Sequence, residues 1–169
     1  MLKKERNLVT QQLKEIATKF HGKIEVDLSK AWHFPKGLPG FEEEEEFVIL
    51  PIGENQQFQV LQSTKEAGVA FVVANPYKIV EEYDFKIDDP TVDLLEVKSP
   101  EDLMVLGIVF IKEPFEESTI NLQAPLLFQI NNRKAKQMVL NDKRYLIKHP
   151  IDEKKLDEMK EKTTSGKSE

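Results

Sequence analysis

His33-Phe34-Pro35-Lys36-Gly37-Leu38-Pro39-Gly40-Phe41-Glu42-Glu43 is the stretch whose reading decides the fold. Glycine reaches backbone angles that other residues avoid, and proline fixes φ. Pro35, Gly37, Pro39 and Gly40 in such close succession therefore read as consecutive tight turns. Phe34 and Phe41 bracket these turns and can pin them to a core. His33 is the one side chain here with catalytic potential, so the segment reads as a structural element or a binding loop.

Working outward, the chain on both sides follows a period of two. Upstream, Ile24 and Val26 alternate with charged neighbours in Phe20–Asp27, as in a half-buried strand. Downstream come Phe47–Leu50, Phe58–Gln62, Val69–Val73, Val92–Val97, Leu103–Ile111, Thr119–Leu122, Leu126–Ile130 and Gln137–Leu140, with a weaker run at Tyr145–Ile147. Short polar, Gly, Pro or Asn stretches separate them. No helical pattern of 10–15 residues alternates with the runs, which argues against βαβ units. The pattern predicts a mainly β, compact antiparallel fold, barrel-like or sandwich-like, with few short helices. Asp88-Asp89-Pro90 and Ser99-Pro100-Glu101-Asp102 read as turns or single helical turns, because Asp and Ser cap and Pro starts.

The two ends differ from the middle. Leu2, Leu8, Val9, Leu13 and Ile16 form a loose apolar stripe, so residues 1–17 read as an N-terminal helical extension. Residues 18–150 form the β domain, closed by Pro150. Residues 151–169 read as a charged helix followed by a disordered tail.

Composition narrows the function. The 169 residues are 40% hydrophobic and 32% charged, and Lys+Arg of 24 against Asp+Glu of 30 gives a net charge of −6. An acidic chain is a poor grip for phosphate backbones and a reasonable match for a basic partner. There is no cysteine, which excludes disulfides, thiolate metal sites and cysteine nucleophiles. No apolar run approaches ~20 residues, so no membrane span is expected. The start Met1–Arg6 lacks the apolar region of a secretory signal, and a cytoplasmic location is expected.

Catalytic constellations are missing. His21, His33 and His149 lie in separate segments with no partner at ligand spacing, and read as surface or capping histidines. There is no HExxH, Walker loop, GxGxxG or GxSxG, and no serine has a nucleophile context. Glu42–Glu46 is a run of five carboxylates, but consecutive residues of an extended segment point to both sides and do not converge on one ion. The run reads as a solvated face, with an acidic patch steering a basic partner as the functional alternative. Asp84, Asp88, Asp89 and Asp93 make a second acidic zone. Between the two, Tyr77, Tyr83 and Phe85 stand among acids, suited either to core anchoring or to a binding surface. No enzyme, cofactor or metal is expected.

The order of these features resembles the FliW family. Its carriers are Lys19–Val26, the Phe34–Glu42 turn (a F-x-x-G-L-P-G-F-E signature), Phe58–Ser63, Ala70–Pro76, Asn121–Leu126, and Ile130-Asn131 with Gln137–Leu140 downstream. The resemblance implies a flagellar assembly factor without catalytic activity. Such a protein binds the translational regulator CsrA away from its RNA-binding surface, relieves repression of flagellin mRNA, and binds flagellin in exchange. The family-motif positions Gly37, Pro39, Gly40, Phe41, Asn75, Pro76, Asn121, Pro125 and Asn131 are expected to serve turn geometry. Partner contacts are expected from Glu42, Glu43, Glu44, Tyr77, Glu81, Glu82, Tyr83 and Asp84, on charge complementarity and the tyrosines. The free protein is expected to be a monomer. The competing readings are a flagellin chaperone without a translational role and a β-barrel module that binds RNA directly; the latter needs a basic face with interleaved aromatics, where the sequence offers only Arg133-Lys134 with Lys136, and Lys143-Arg144.

Overall fold

The computed structural model describes residues 12–152. The turn stretch folds as its sequence demands. Gly37 and Gly40 take φ of +61° and +84°, and Leu38 and Phe41 bridge each other across the turn. Phe34 is fully buried and packs edge-to-face on Phe47 and Phe128, so the turn is nailed to the core by its first aromatic.

The strands are β1 (Leu13–Ala17), β2 (Lys23–Asp27), β3 (Trp32–His33), β4 (Glu46–Ile52), β5 (Asn55–Ser63), β6 (Ala70–Ala74), β7 (Leu103–Phe110), β8 (Thr119–Ile120), β9 (Leu126–Gln129), β10 (Ala135–Gln137) and β11 (His149–Pro150). All ladders between them are antiparallel. β1 and β2 form their own hairpin, and the large sheet runs β10-β9-β7-β6-β5-β4-β3, with β8 beside β7 and β11 beside β8. β7 divides its pairing, giving Leu103–Leu106 to β9 and Val109–Phe110 to β8.

Alternation on β6 and β7 sends side chains to two cores. Phe34, Phe47, Leu61, Val73, Leu106 and Phe128 pack on one face. Ala74, Tyr83, Leu95, Val109, Ile120 and Leu127 pack on the other. With both faces covered, the central strands read as continuous apolar runs rather than strict alternation. A third cluster joins Ile16 and Val26 of the hairpin to Val48, Leu50 and Val60.

Three expectations are corrected. The mainly β class holds, but the sheet does not close into a barrel. Its ends meet at one parallel bridge, His33 to Lys134. The guanidinium of Arg133, stacked 4.0 Å over the Trp32 ring, donates to the carbonyls of Lys30 and Ala31 beside that bridge, so a side chain takes up acceptors that a closing ladder would use. Leu13–Ala17, read as the end of a helix, is a strand: pairing with Lys23–Asp27 and burial of Ile16 override helix propensity. The rest of that predicted helix, and the C-terminal helix and tail beyond Asp152, lie outside the described residues. Third, Val92–Val97, read as a strand run, lies mostly in helix α1 (Asp89–Leu95). Asp88 caps it by accepting from the Thr91 N–H at 2.9 Å, Pro90 sits in the first turn, and buried Thr91 and Leu95 are spaced i, i+4 on its inner face.

Candidate partner-binding surface

The predicted contact residues fall in two zones that the fold keeps apart. Glu44 and Glu46 lie at the turn end of the β5–β6 hairpin, where Glu44 accepts from Ser63 Oγ at 2.7 Å and Glu46 from Thr64 Oγ1 at 2.6 Å. The Tyr77–Asp84 segment leaves from the opposite end, after Ala74. Between the pairs Gln62–Ala70 and Phe58–Ala74 lie four residue steps, about 13 Å at ~3.3 Å per residue. This register sets the two zones at opposite ends of the hairpin.

Within the first zone, Glu44 and Glu46 are structural. Glu42, Glu43 and Glu45 remain exposed, and Glu42 accepts from the Gly40 N–H at 3.2 Å. Phe41 is 40% exposed and stands edge-on to Phe71 at 5.4 Å. The local geometry rests on Gly37, where an added Cβ would lie 2.6 Å from backbone atoms of Phe41 and Glu42.

The second zone is built on tyrosines. Asn75 accepts from the Tyr77 N–H at 2.9 Å and starts a 3-10 turn over Pro76–Lys78, with Pro76 buried. This presents Tyr77, 49% exposed, with its ring 5.6 Å from that of Tyr83. Tyr83 corrects the sequence reading. It is only 4% exposed, stacks among Tyr77, Phe85 and Tyr145, and its hydroxyl donates to the Leu122 carbonyl at 2.6 Å. It anchors the segment and offers a partner almost no surface. Burial pushes its hydroxyl pKa well up, and that of Tyr77 up as well, helped by Tyr145 and Asp84.

Asp84 is exposed, but its backbone is fixed: its N–H donates to the Tyr145 hydroxyl at 3.0 Å. Arg144 lies 2.8 Å from Asp142 and 3.9 Å from Asp84. The Arg144 hydrogen bonds hold the Asp142 carboxyl below the usual range. Glu81 and Glu82 are exposed. The chain from Phe85 to Ile87 then runs between two open grooves. One of about 610 Å³ is lined by Asp84, Asp88, Leu140 and Arg144. The other, of about 590 Å³, is lined by Tyr77, Ile87, Leu103 and Val105.

The motif asparagines all serve turns. Asn121 accepts from Gln123 and Ala124 N–H groups at 3.0 Å, and Asn131 donates to Asp102 at 3.0 Å. Pro125 is buried, while Pro39 is exposed in the turn. Two determinants escaped the sequence reading. Gln62 is fully buried. Its amide donates to the carbonyls of Ser63 and Ala67, and its oxygen accepts from the Lys19 N–H at 3.0 Å, joining the β1–β2 turn to the β5–β6 hairpin. Arg133 is the other. A buried glutamine in an F-x-x-L-Q-S run was the available signal; Arg133 gave none.

Among the described residues, no group of three or more His, Asp or Glu side chains is placed to hold a metal ion, and no helix is long and apolar enough to cross a membrane. The fold and its surface define a mainly β protein that presents tyrosine, carboxylate and apolar groove. The model of the FliW protein family matches residues 14–151. The chain is 47% identical over 138 residues to the flagellar assembly factor FliW of Bacillus licheniformis, covering 80% of this chain and 95% of that one. It is 42% identical to the Bacillus subtilis protein of the same name, with the same coverage. A crystal structure of the flagellar assembly factor FliW superposes with a TM-score of 0.78 at 34% identity, covering 82% of this chain and 96% of that one. This chain belongs to the FliW family.

Proposed function

We propose that this protein is a cytoplasmic flagellar assembly factor that binds a CsrA-type translational regulator and flagellin in exchange. Bound to the regulator, it lowers that protein's affinity for flagellin mRNA from a site away from the RNA, so repression is relieved. Bound to flagellin, it releases the regulator. It works by binding and not by catalysis.

Family membership across the whole β domain carries this reading, since 138 aligned residues of a 47% identical relative leave little of the described fold outside the match. The surface agrees with it. A net charge of −6 and exposed Glu42, Glu43, Glu81, Glu82 and Asp84 suit a basic RNA-binding partner. The exchange is a linked equilibrium, in which RNA weakens binding of this protein to the regulator by the same factor that this protein weakens RNA binding. A gel-shift titration tests the coupling. Adding this protein to a preformed regulator–RNA complex is expected to release RNA, with a ternary complex at intermediate concentrations. Unchanged RNA affinity at saturating protein contradicts it, and RNA binding by this protein alone favours the direct RNA reading instead.

A further inference from the structure

The pairing of β7 leaves part of one edge open. Asn121 N–H donates to Ile108 O and Ile130 N–H to Asp102 O, both at 2.9 Å, so the even-numbered residues turn their backbone groups toward β8 and β9. Odd-numbered residues therefore face β6, where Val109 meets Val72 and Gly107 meets Ala74. The next position, Val105, would meet Pro76. Proline has no N–H, and the Pro76 carbonyl already accepts from Ile79 and Val80 at 3.0 Å as the chain turns away. The N–H and C=O of Val105 on this side thus have no ladder partner. Such an edge is a template for another strand.

The groove of about 590 Å³ lies along this edge. Its walls are largely apolar: Tyr77, Phe85, Ile87, Leu103 and Val105, with Lys86 the one charged side chain in its lining. An unpaired backbone beside apolar pockets matches a partner whose own backbone is extended, since side chains of a strand alternate and only every second one enters the groove. A helix satisfies its backbone internally and leaves the Val105 groups unmet.

We propose that this groove binds an extended segment of a partner protein by strand addition to the free edge of β7, with apolar residues at alternate positions and a carboxylate meeting Lys86. The proposal rests on reading the chain as a binding protein, but its test uses neither the CsrA-type regulator nor flagellin, so the two fail separately.

The test pans a phage-displayed library of random ten-residue peptides on the full chain. Enriched peptides are then made synthetically and titrated with amide hydrogen exchange read by NMR. The expected result is a set of sequences alternating apolar residues with one Asp or Glu. Saturation is expected to slow Val105 N–H exchange about tenfold or more, as a new ladder bond protects it. Lys86→Glu, at an exposed position that spares the fold, is expected to weaken these peptides about tenfold and to recover binding when their acid is changed to Lys. No enrichment, binding that leaves Val105 exchange unchanged, or Val105 protection arising from self-association of the chain would each overturn the proposal.

Discussion

The Tyr83 hydroxyl donates to the Leu122 carbonyl at 2.6 Å, tying the segment after β6 to the turn that leads into β9. One buried bond thus fixes where Tyr77 and Asp84 stand, although Tyr83 itself is buried. Tyr83→Phe leaves the Leu122 acceptor unpaired, at a cost of about 1–3 kcal/mol. That corresponds to a melting temperature lower by about 2–4 °C per kcal/mol for a chain of this size. Urea denaturation of the variant checks it, and an unchanged midpoint would mean that water replaces the bond without loss.

Gly37 and Gly22 separate backbone strain from collision. Both have positive φ, but a Cβ at Gly22 meets open space while one at Gly37 meets backbone at 2.6 Å. Gly22→Ala is expected to cost about 1–2 kcal/mol, the left-handed penalty alone. Gly37→Ala is expected to cost more and to loosen the Phe34–Phe41 turn. Equal losses in two urea titrations would contradict this.

Gln62 closes a network rather than filling space. Gln62→Leu keeps the volume but strands the Lys19 N–H and several carbonyls, so a loss of about 1–3 kcal/mol is expected despite the gain in apolar character. Lys19 and Ala67 sit at the two turns it joins, and faster amide exchange at Lys19 checks the local origin. Unaltered exchange there would refute it.

Asp102 gives the acid response a location. Its carboxylate accepts from the Lys98 and Ser99 N–H groups, and these bonds hold its pKa below the ordinary 3.8. A depressed folded-state pKa stabilises above the unfolded value and is lost as pH falls through the folded one. The contribution is therefore intact at neutral pH and fades below about pH 3.8. Asp102→Asn should flatten this part of the acid limb in urea denaturation against pH, and NMR titration of the wild-type Asp102 carboxyl reads its midpoint. A midpoint at or above 3.8 would contradict the assignment.

The two acidic zones should act independently. They stand more than a Debye length of about 8–10 Å apart at ordinary salt. Glu43→Lys and the Glu81→Lys/Glu82→Lys pair are each expected to slow association with the regulator several-fold, with log-additive effects and greater losses at low salt. Stopped-flow rates equal to wild type would remove a zone from the surface.

Much of this was legible in the sequence because it was local. Turn glycines, capping Asp88 and Ser99, and alternation at Ile24 and Val26 each state their structure within a few residues. What was missed depends on distant pairing. Leu13–Ala17 became a strand because β2 accepted it, and Val92–Val97 was misassigned because an apolar run alone does not separate a buried helix from a strand. Tyr83 shows the same limit at the site: its composition fits an interface, and only the stack with Tyr77, Phe85 and Tyr145 places it inside.

The most direct test is calorimetric titration of this protein into the CsrA-type regulator of the same cell, repeated with flagellin present. Saturable binding that flagellin abolishes is the predicted result. Binding to neither protein, or binding to the regulator that flagellin leaves untouched, would contradict the exchange.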